Sequence, residues 1–211
     1  MGVQERKARE FKKREEKIRK VAVALLKKKH PSQITMDTIA KKVEIGRGTL
    51  YLHFKSKDDL MASIVLEFYC KLRVRFESIP ASASSEEKVR ALVKQFIQYS
   101  LEDRALYKVI KSCSDTLVQA NVSQEVADKT LQERKRRLQI FEATYHDIKQ
   151  SGKLANFPLF SHVGAIWGML QGAIDLIVDG HFANEIVDLE EYFVIVESIL
   201  FQGIFSKTVM V

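Results

Sequence analysis

The sequence predicts an all-α protein in two parts: a small N-terminal three-helix unit and a larger helical body. Three observations carry that prediction. Only 3 prolines and 9 glycines punctuate 211 residues, too little turn chemistry for a sandwich or barrel. Apolar residues recur at helical spacing in one stretch after another, and the alternation that a strand needs persists nowhere. Finally, the basic residues are unevenly divided. Residues 1–60 hold 17 Lys+Arg against 8 Asp+Glu, a balance of +9, while residues 61–211 hold 17 against 19, a balance of −2.

Composition bounds the class further. At 46% apolar and 29% charged, the chain is globular rather than disordered. Cys70 and Cys113 make neither a disulfide framework nor a metal-spaced pair, which fits a reducing cytosol. The opening residues are charged and lack an apolar core, so no signal peptide is expected and a cytoplasmic location is.

The elements follow in order. The first helix is predicted from about Glu10 to Lys29, with Ile18, Val21, Ala22, Leu25 and Leu26 on one apolar stripe. Lys27, Lys28 and Lys29 complement the dipole of its last turn, and Pro31 lies just past its end. Thr35 reads as the N-cap of a short helix turning Met36, Ile39, Ala40 and Val43 inward. A break at Glu44-Ile45-Gly46 precedes a second short helix, Arg47 to about His53, anchored by Leu50 and Phe54. Ser56-Lys57-Asp58-Asp59 reads as a capping box that opens a long helix to about Glu77.

Pro80 and the Ala/Ser run 81–85 form the clearest linker. Ser84 to Glu87 is a second capping box, and a shorter helix is expected over Arg104 to Ser112. Ser123 caps a long charged helix over 124–150, ended by Gly152. Asn156-Phe157-Pro158 starts another that Gly180 closes, and Asp188 caps the last, through about Phe205.

Two short helices joined by a three- or four-residue turn, on a basic first helix, describe a helix-turn-helix over about residues 35–54. The first short helix crosses the DNA backbone and the turn aims the second into a major groove about 12 Å wide. Ile39, Ala40, Ile45 and Leu50 hold the pair together, which leaves Arg47, Thr49, Tyr51 and His53 for the DNA.

The run Ile34-Thr35-Met36-Asp37-Thr38-Ile39-Ala40, followed by Gly46-Arg47-Gly48-Thr49-Leu50-Tyr51-Leu52-His53-Phe54-Lys55-Ser56-Lys57-Asp58-Asp59-Leu60, resembles the DNA-binding domain of TetR-family bacterial transcriptional regulators. The resemblance covers about residues 15–65. It implies a role for each matching position. Arg47 would meet a base edge such as guanine O6/N7, and Gly48 would let the backbone approach a phosphate. Thr49, Tyr51 and His53 would make phosphate or groove contacts, and Thr35 would cap its helix and touch the backbone. Lys57 would clamp a phosphate beside the dipole of the following helix. Two positions depart from the family pattern. Glu44 stands where Gly is usual, and Gly46 where Ser or Thr is usual. A non-glycine residue in a left-handed conformation costs about 1 kcal/mol, whereas glycine is a tolerable N-cap.

Other motifs carry less. Gly46-x-Gly48 lacks the third glycine and the preceding strand of a dinucleotide fingerprint. The five histidines (30, 53, 146, 162 and 181) share no ligand spacing, so no metal and no cofactor are expected. No Gly-x-Ser-x-Gly, His-Glu-x-x-His or P-loop appears, which leaves an enzyme reading without a chemical anchor. The apolar segment 157–178 contains Gly164, Gly168 and Gly172 at four-residue spacing, a dimer motif in lipid. Asp175 inside a bilayer would cost several kcal/mol, so a buried helix with a small-residue groove, including Ala165 and Ala173, against which another helix packs closely, is the better account. By resemblance, helices over 159–179 and 189–205 would form a four-helix dimer bundle. The resemblance also implies an effector cavity, for which Phe68, Phe96, Tyr99, Tyr107, Phe141, Tyr145 and Trp167 are candidates, and such a lining favours a hydrophobic or aromatic ligand.

The sequence thus reads as a ligand-responsive DNA-binding regulator, with residues 1–56 as DNA-binding domain and 57–211 as effector-binding and dimerisation domain. It would repress from a palindromic operator as a homodimer and leave when a small molecule binds. Two alternatives are a helical membrane-surface or interaction protein, and an enzyme or carrier using the C-terminal cavity. The Gly48-Thr49-Leu50-Tyr51 run and Lys57 are needed by the DNA reading and not by the membrane one, while turnover of a soaked metabolite would mark the enzyme or carrier.

Overall fold

The computed structural model describes residues 2–117, 120–150, 158–182 and 188–205. Among these, nine α-helices and one 3-10 turn are formed and no strand is. The helices are α1 (Val3–Leu26), α2 (Met36–Val43), α3 (Arg47–His53), α4 (Lys57–Glu77), α5 (Ser85–Glu102), α6 (Arg104–Leu117), α7 (Gln124–Gln150), α8 (Leu159–Val178) and α9 (Leu189–Phe205).

The largest departure from the sequence reading is at α1, which starts at Val3 rather than about Glu10. Its early turns bear no apolar stripe, yet they are rich in Lys, Arg, Glu and Ala, all good helix formers. The amide of Gly2 donates to Glu5 Oε2 at 3.0 Å and secures the first turn. Helix α6 also runs on, to Leu117, because Cys113 continues the buried face of Tyr107, Val109 and Ile110. Gly152, Asn156 and Phe157, expected at helix ends, lie outside the described residues.

Local signals explain most other boundaries. Thr35 Oγ1 accepts from the Thr38 amide at 3.2 Å and caps α2. The box at α5 is complete. Glu87 donates its amide to Ser84 Oγ at 3.3 Å, and the Ser84 amide donates to Glu87 Oε2 at 2.8 Å. The Ser84 hydroxyl, donating to Glu87 Oε2 at 2.7 Å, and then the Ser84 amide hold the Glu87 carboxyl below the usual carboxylate range. At α4 only half a box forms. Asp59 donates its amide to Ser56 Oγ at 3.0 Å, but its carboxylate turns away to accept from the Ser123 amide at 2.7 Å.

Contacts divide the chain into two compact units, one within residues 1–70 and 105–133, the other within 71–104 and 134–211. This division runs through α4 and α7, whereas the expected 56/57 boundary divides roles. In the first unit α2 packs on α1 and α3 on α2. Ile18, Ile39, Leu50 and Leu60 are all wholly buried there. Cys113 is buried too, and burial pushes its thiol up to about 11. In the second unit α5 and α9 pack on α8, around Phe96, Leu170, Ile174 and Phe201.

Helices α8 and α9 also turn apolar side chains to solvent. Phe160, Met169 and Leu176 on α8, with Val194, Ile195 and Ile199 on α9, are all exposed. The stretch Phe160–Val178 is long and apolar enough to cross a membrane by length and composition, with 22% of the window buried in the protein.

Among the described residues one non-glycine has a left-handed backbone. Glu44, at φ 64° and ψ 46°, ends α2, and the Ile45 amide donates back to the Ala40 carbonyl at 3.1 Å. This geometry is the usual place for glycine. Glu44→Gly should therefore raise stability by up to about 1 kcal/mol, read as a higher urea midpoint. A lower midpoint would mean that the glutamate side chain itself holds the turn.

Candidate DNA-reading head and apolar cavity

Helix α3 is only seven residues long and presents Arg47, Gly48, Tyr51 and Leu52 to solvent, with Thr49 half-buried. The Arg47 side chain is 65% exposed, and its Nε lies 3.2 Å from Asp37 Oδ1. Its guanidinium sits 5.6 Å from the centre of the Tyr51 ring. Hydrogen bonding with Tyr51, then the Asp37 carboxylate, hold its pKa above the ordinary arginine value. Asp37 went unremarked as a functional residue in the sequence, although a carboxylate in the first turn of α2 is ten residues from Arg47 and one turn of chain away in space. A Cβ at Gly48 would meet nothing within 4 Å. Thr35, already the cap of α2, is exposed beside these residues in sequence order.

Two expected contacts are placed differently. His53 was expected to face DNA, but its side chain is 2% exposed. Its ring stacks on Phe11 of α1 at 4.0 Å between centroids, and Nδ1 lies 4.0 Å from Glu15 Oε1. Helix α1 covers the end of α3, a contact that local spacing around His53 does not reveal. Lys57 was expected to reach outward for a phosphate. Its Nζ instead donates to the carbonyls of Pro31 at 3.1 Å and Ile34 at 3.3 Å, fastening the α1–α2 connection to the start of α4. Asp59, 2% exposed, is the residue that sequence reasoning assigned too little. It was read as a local cap and it holds the start of α7.

The second unit contains an open cavity. Phe76, Phe96, Phe141, Tyr145 and Trp167 line it with His162, Thr144 and a set of aliphatic side chains from α5, α8 and α9. Phe96 and Trp167 lie 4.4 Å apart between ring centroids, and Tyr145 meets His162 edge-on at 5.7 Å. Burial lowers the His162 pKa. Four of the seven predicted aromatics thus come together. Phe68 and Tyr107 do not, because they pack on each other in the first unit at 6.2 Å. Tyr99 carries the Arg75 guanidinium at 4.5 Å instead. Aromatic spacing marks a helix face but not which core that face meets, and the aliphatic lining residues look like any other core.

Gly164, Gly168 and Gly172 are all exposed along α8, and a Cβ at any of them would meet nothing within 4 Å.

Fold and head together define a helix-turn-helix protein with an all-helical body. The profile of bacterial regulatory proteins of the tetR family matches residues 18–64. HTH-type transcriptional regulators of Staphylococcus aureus strains USA300 and NCTC 8325 are 28% identical over 110 residues, 52% of this chain and 60% of theirs. The matched region thus spans about three fifths of the relatives' length. In fold the chain is similar to a tetR family transcription regulator from Shewanella sp. PV-4, with a TM-score of 0.69 at 15% identity over 92% of this chain and 98% of that one. It is similar as well to the transcriptional regulator FadR from Bacillus subtilis in complex with stearoyl-CoA, with a TM-score of 0.67 at 20% identity over the same shares of the two chains. Residues 18–64 are thus similar to the N-terminal domain of tetR family bacterial regulatory proteins, and the chain as a whole is similar in fold to the two regulators above.

The buried histidine of the head makes stability depend on pH. Burial lowers the His53 pKa below its ordinary 6.5, with Arg14 acting the same way and Glu15 opposing. The unfolded chain therefore binds that proton more readily than the folded one, so this contribution is complete above about pH 6.5 and is lost as pH falls through the lowered value. His53→Phe, which keeps a ring on Phe11, should shrink the drop in urea midpoint between about pH 7.5 and pH 5. An equal drop in the variant would locate the sensitivity elsewhere.

Proposed function

We propose that this protein is a ligand-responsive transcriptional regulator. It binds a palindromic operator as a homodimer, represses from it, and is released when an apolar small molecule occupies the cavity of the second unit. Residues 1–56 form the DNA-binding domain and 57–211 the effector-binding and dimerisation domain, and the protein acts in the cytoplasm. The observation that carries this reading is α3, a short helix whose exposed side offers a cation, a bare backbone and hydroxyls. Arg47 reads a base edge, while Gly48, Thr49, Tyr51 and Thr35 meet sugar and phosphate. His53 and Lys57 serve by holding α3 and α4 in place. The effector is apolar because almost everything lining the cavity is; the stearoyl-CoA bound by the fold neighbour FadR offers an acyl chain of that class beside its charged CoA part.

Dimerisation is supported by the outward faces of α8 and α9, which are apolar and exposed in a single chain. The three α8 glycines need no space inside their own protomer, so a reason for their lack of side chains lies outside it. The whole reading is tested by selecting bound fragments from genomic DNA, with and without apolar ligands. Enrichment of one palindromic sequence, relieved by a ligand that quenches Trp167, the single tryptophan, is expected; an unenriched pool overturns it.

Arg47→Ala should lose roughly 1–3 kcal/mol on the best operator and relax the preference at one base pair per half-site. If selection on the variant returns the original motif undiluted, Arg47 only positions the head. Gly168→Leu should leave helical content largely unchanged, since its side chain enters open space in the protomer. It should shift sedimentation toward monomer, because overpacking a close helix pair costs about 1–3 kcal/mol, and specific DNA binding should vanish with the second half-site. A dimeric variant that binds normally would move the interface away from this stripe.

A further inference from the structure

The first half of α1 is not explained by the DNA-reading head. The family match begins at residue 18, whereas α1 begins at Val3. Its buried residues are Ile18, Ala22 and Leu26, and every residue from 2 to 14 is exposed. Residues 3–14 contain six Lys+Arg against two Glu. Arg6, Arg9 and Lys13 recur at i, i+3 and i+7, one helix face, and Phe11, Ile18 and Ala22 occupy the opposite one. An uncovered helix of this length is marginal in water by itself, so packing within the protein does not account for it.

The root of this extension is firmly set. Phe11 stacks on His53, the last residue of α3. Lys17 Nζ donates to the Val43 carbonyl at 3.1 Å, and Arg19 Nε pairs with Glu67 Oε2 at 2.7 Å. The arm therefore leaves the head beside the C-terminal end of the recognition helix. Its eleven residue steps from Val3 to Arg14 span about 17 Å, close to the rise of five base pairs.

We propose that α1 residues 3–14 form a helical arm that grips the DNA phosphate backbone flanking the sequence read by α3, through Arg6, Arg9 and Lys13. The inference rests on the regulator reading above and adds a contact outside its half-site. Charge complementarity selects the partner: a stripe of cations in the same unit as the recognition helix meets a polyanion that extends past it. An anionic bilayer is the weaker match. A membrane-surface helix needs an apolar face to insert, and the aromatic ring of this one is committed to His53.

The test uses the full chain and the variant R6Q/R9Q/K13Q on two duplexes, the selected palindrome alone and the same palindrome with about ten extra base pairs on each side. Wild type is expected to bind the longer duplex at least about tenfold more tightly. The variant should lose that gain and match wild type on the short duplex. On the longer one its log affinity against log salt should flatten by about 3 per arm, at about 0.9 per phosphate. R6K/R9K should keep the gain, because the contact is electrostatic. Equal gains in wild type and triple variant, or a wild type indifferent to flanking DNA, overturn the arm. So does superimposable DNA binding accompanied by loss of pelleting with phosphatidylglycerol vesicles, which would assign the arm to membranes. Wild type that binds neither duplex overturns the regulator reading itself, and the short duplex alone reports that failure.

Discussion

A seven-residue helix cannot hold its shape in water unaided, and α3, the proposed DNA-reading helix, is of that length. Nucleation costs more than two turns of hydrogen bonds return, so α3 exists because its neighbours hold it. Leu50 is wholly buried against the head's core, and the left-handed turn at Glu44 fixes the angle at which α3 leaves α2. Phe11 closes over its far end through His53. Each of these contacts spends side chains inward so that Arg47, Gly48 and Tyr51 can point outward. The strained glutamate, the buried histidine and the internally bonded Lys57 are consequences of one requirement.

That requirement also shapes the longer helices. Helix α4 begins immediately after α3 and carries Phe76 to the cavity, while α7 begins at the Asp59 carboxylate and carries Phe141, Thr144 and Tyr145 to it. Both helices are shared by the two compact units. Under the proposed reading, α7 is the element that would carry the effect of a cavity ligand to the Ser123–Asp59 hydrogen bond. Coupling between two sites needs an element that both can bias, and α4 and α7 each have residues in both units.

Much of this was legible in the sequence, and what was not has a common cause. The α2 and α3 boundaries, the Thr35 cap and the Ser84–Glu87 box depend on residues within four positions of one another, and spacing alone reveals them. The contacts of His53, Lys57 and Asp59 were not legible because their partners, Phe11, Pro31 with Ile34, and Ser123, lie 42, 26 with 23, and 64 positions away. A local pattern names the residue type at such a position but not what it will touch. The cavity shows the same limit. Phe96 and Tyr99 sit one turn apart on α5, yet one faces Trp167 and the other Arg75. The first turns of α1 were missed for a different reason, since the apolar stripe that identifies a packed helix is absent where nothing packs.

Helix α8 poses the question of what a long apolar helix is for. By length and composition it qualifies for a bilayer, but its two faces are not equivalent. Leu170, Ala173, Ile174 and Ile177 are buried toward α5 and α9, and the side left open is lined by three glycines among larger apolar residues. Lipid chains fill any surface and gain nothing from missing side chains, whereas a partner helix gains close approach from each one. Half-buried Asp175 on the same helix would raise the cost of a hydrocarbon environment by several kcal/mol. Helix α9 also exposes apolar residues, at Val194, Ile195 and Ile199. Under the proposed reading a second copy of the same helix pair covers these faces symmetrically, and a protein partner then accounts for them better than a membrane does.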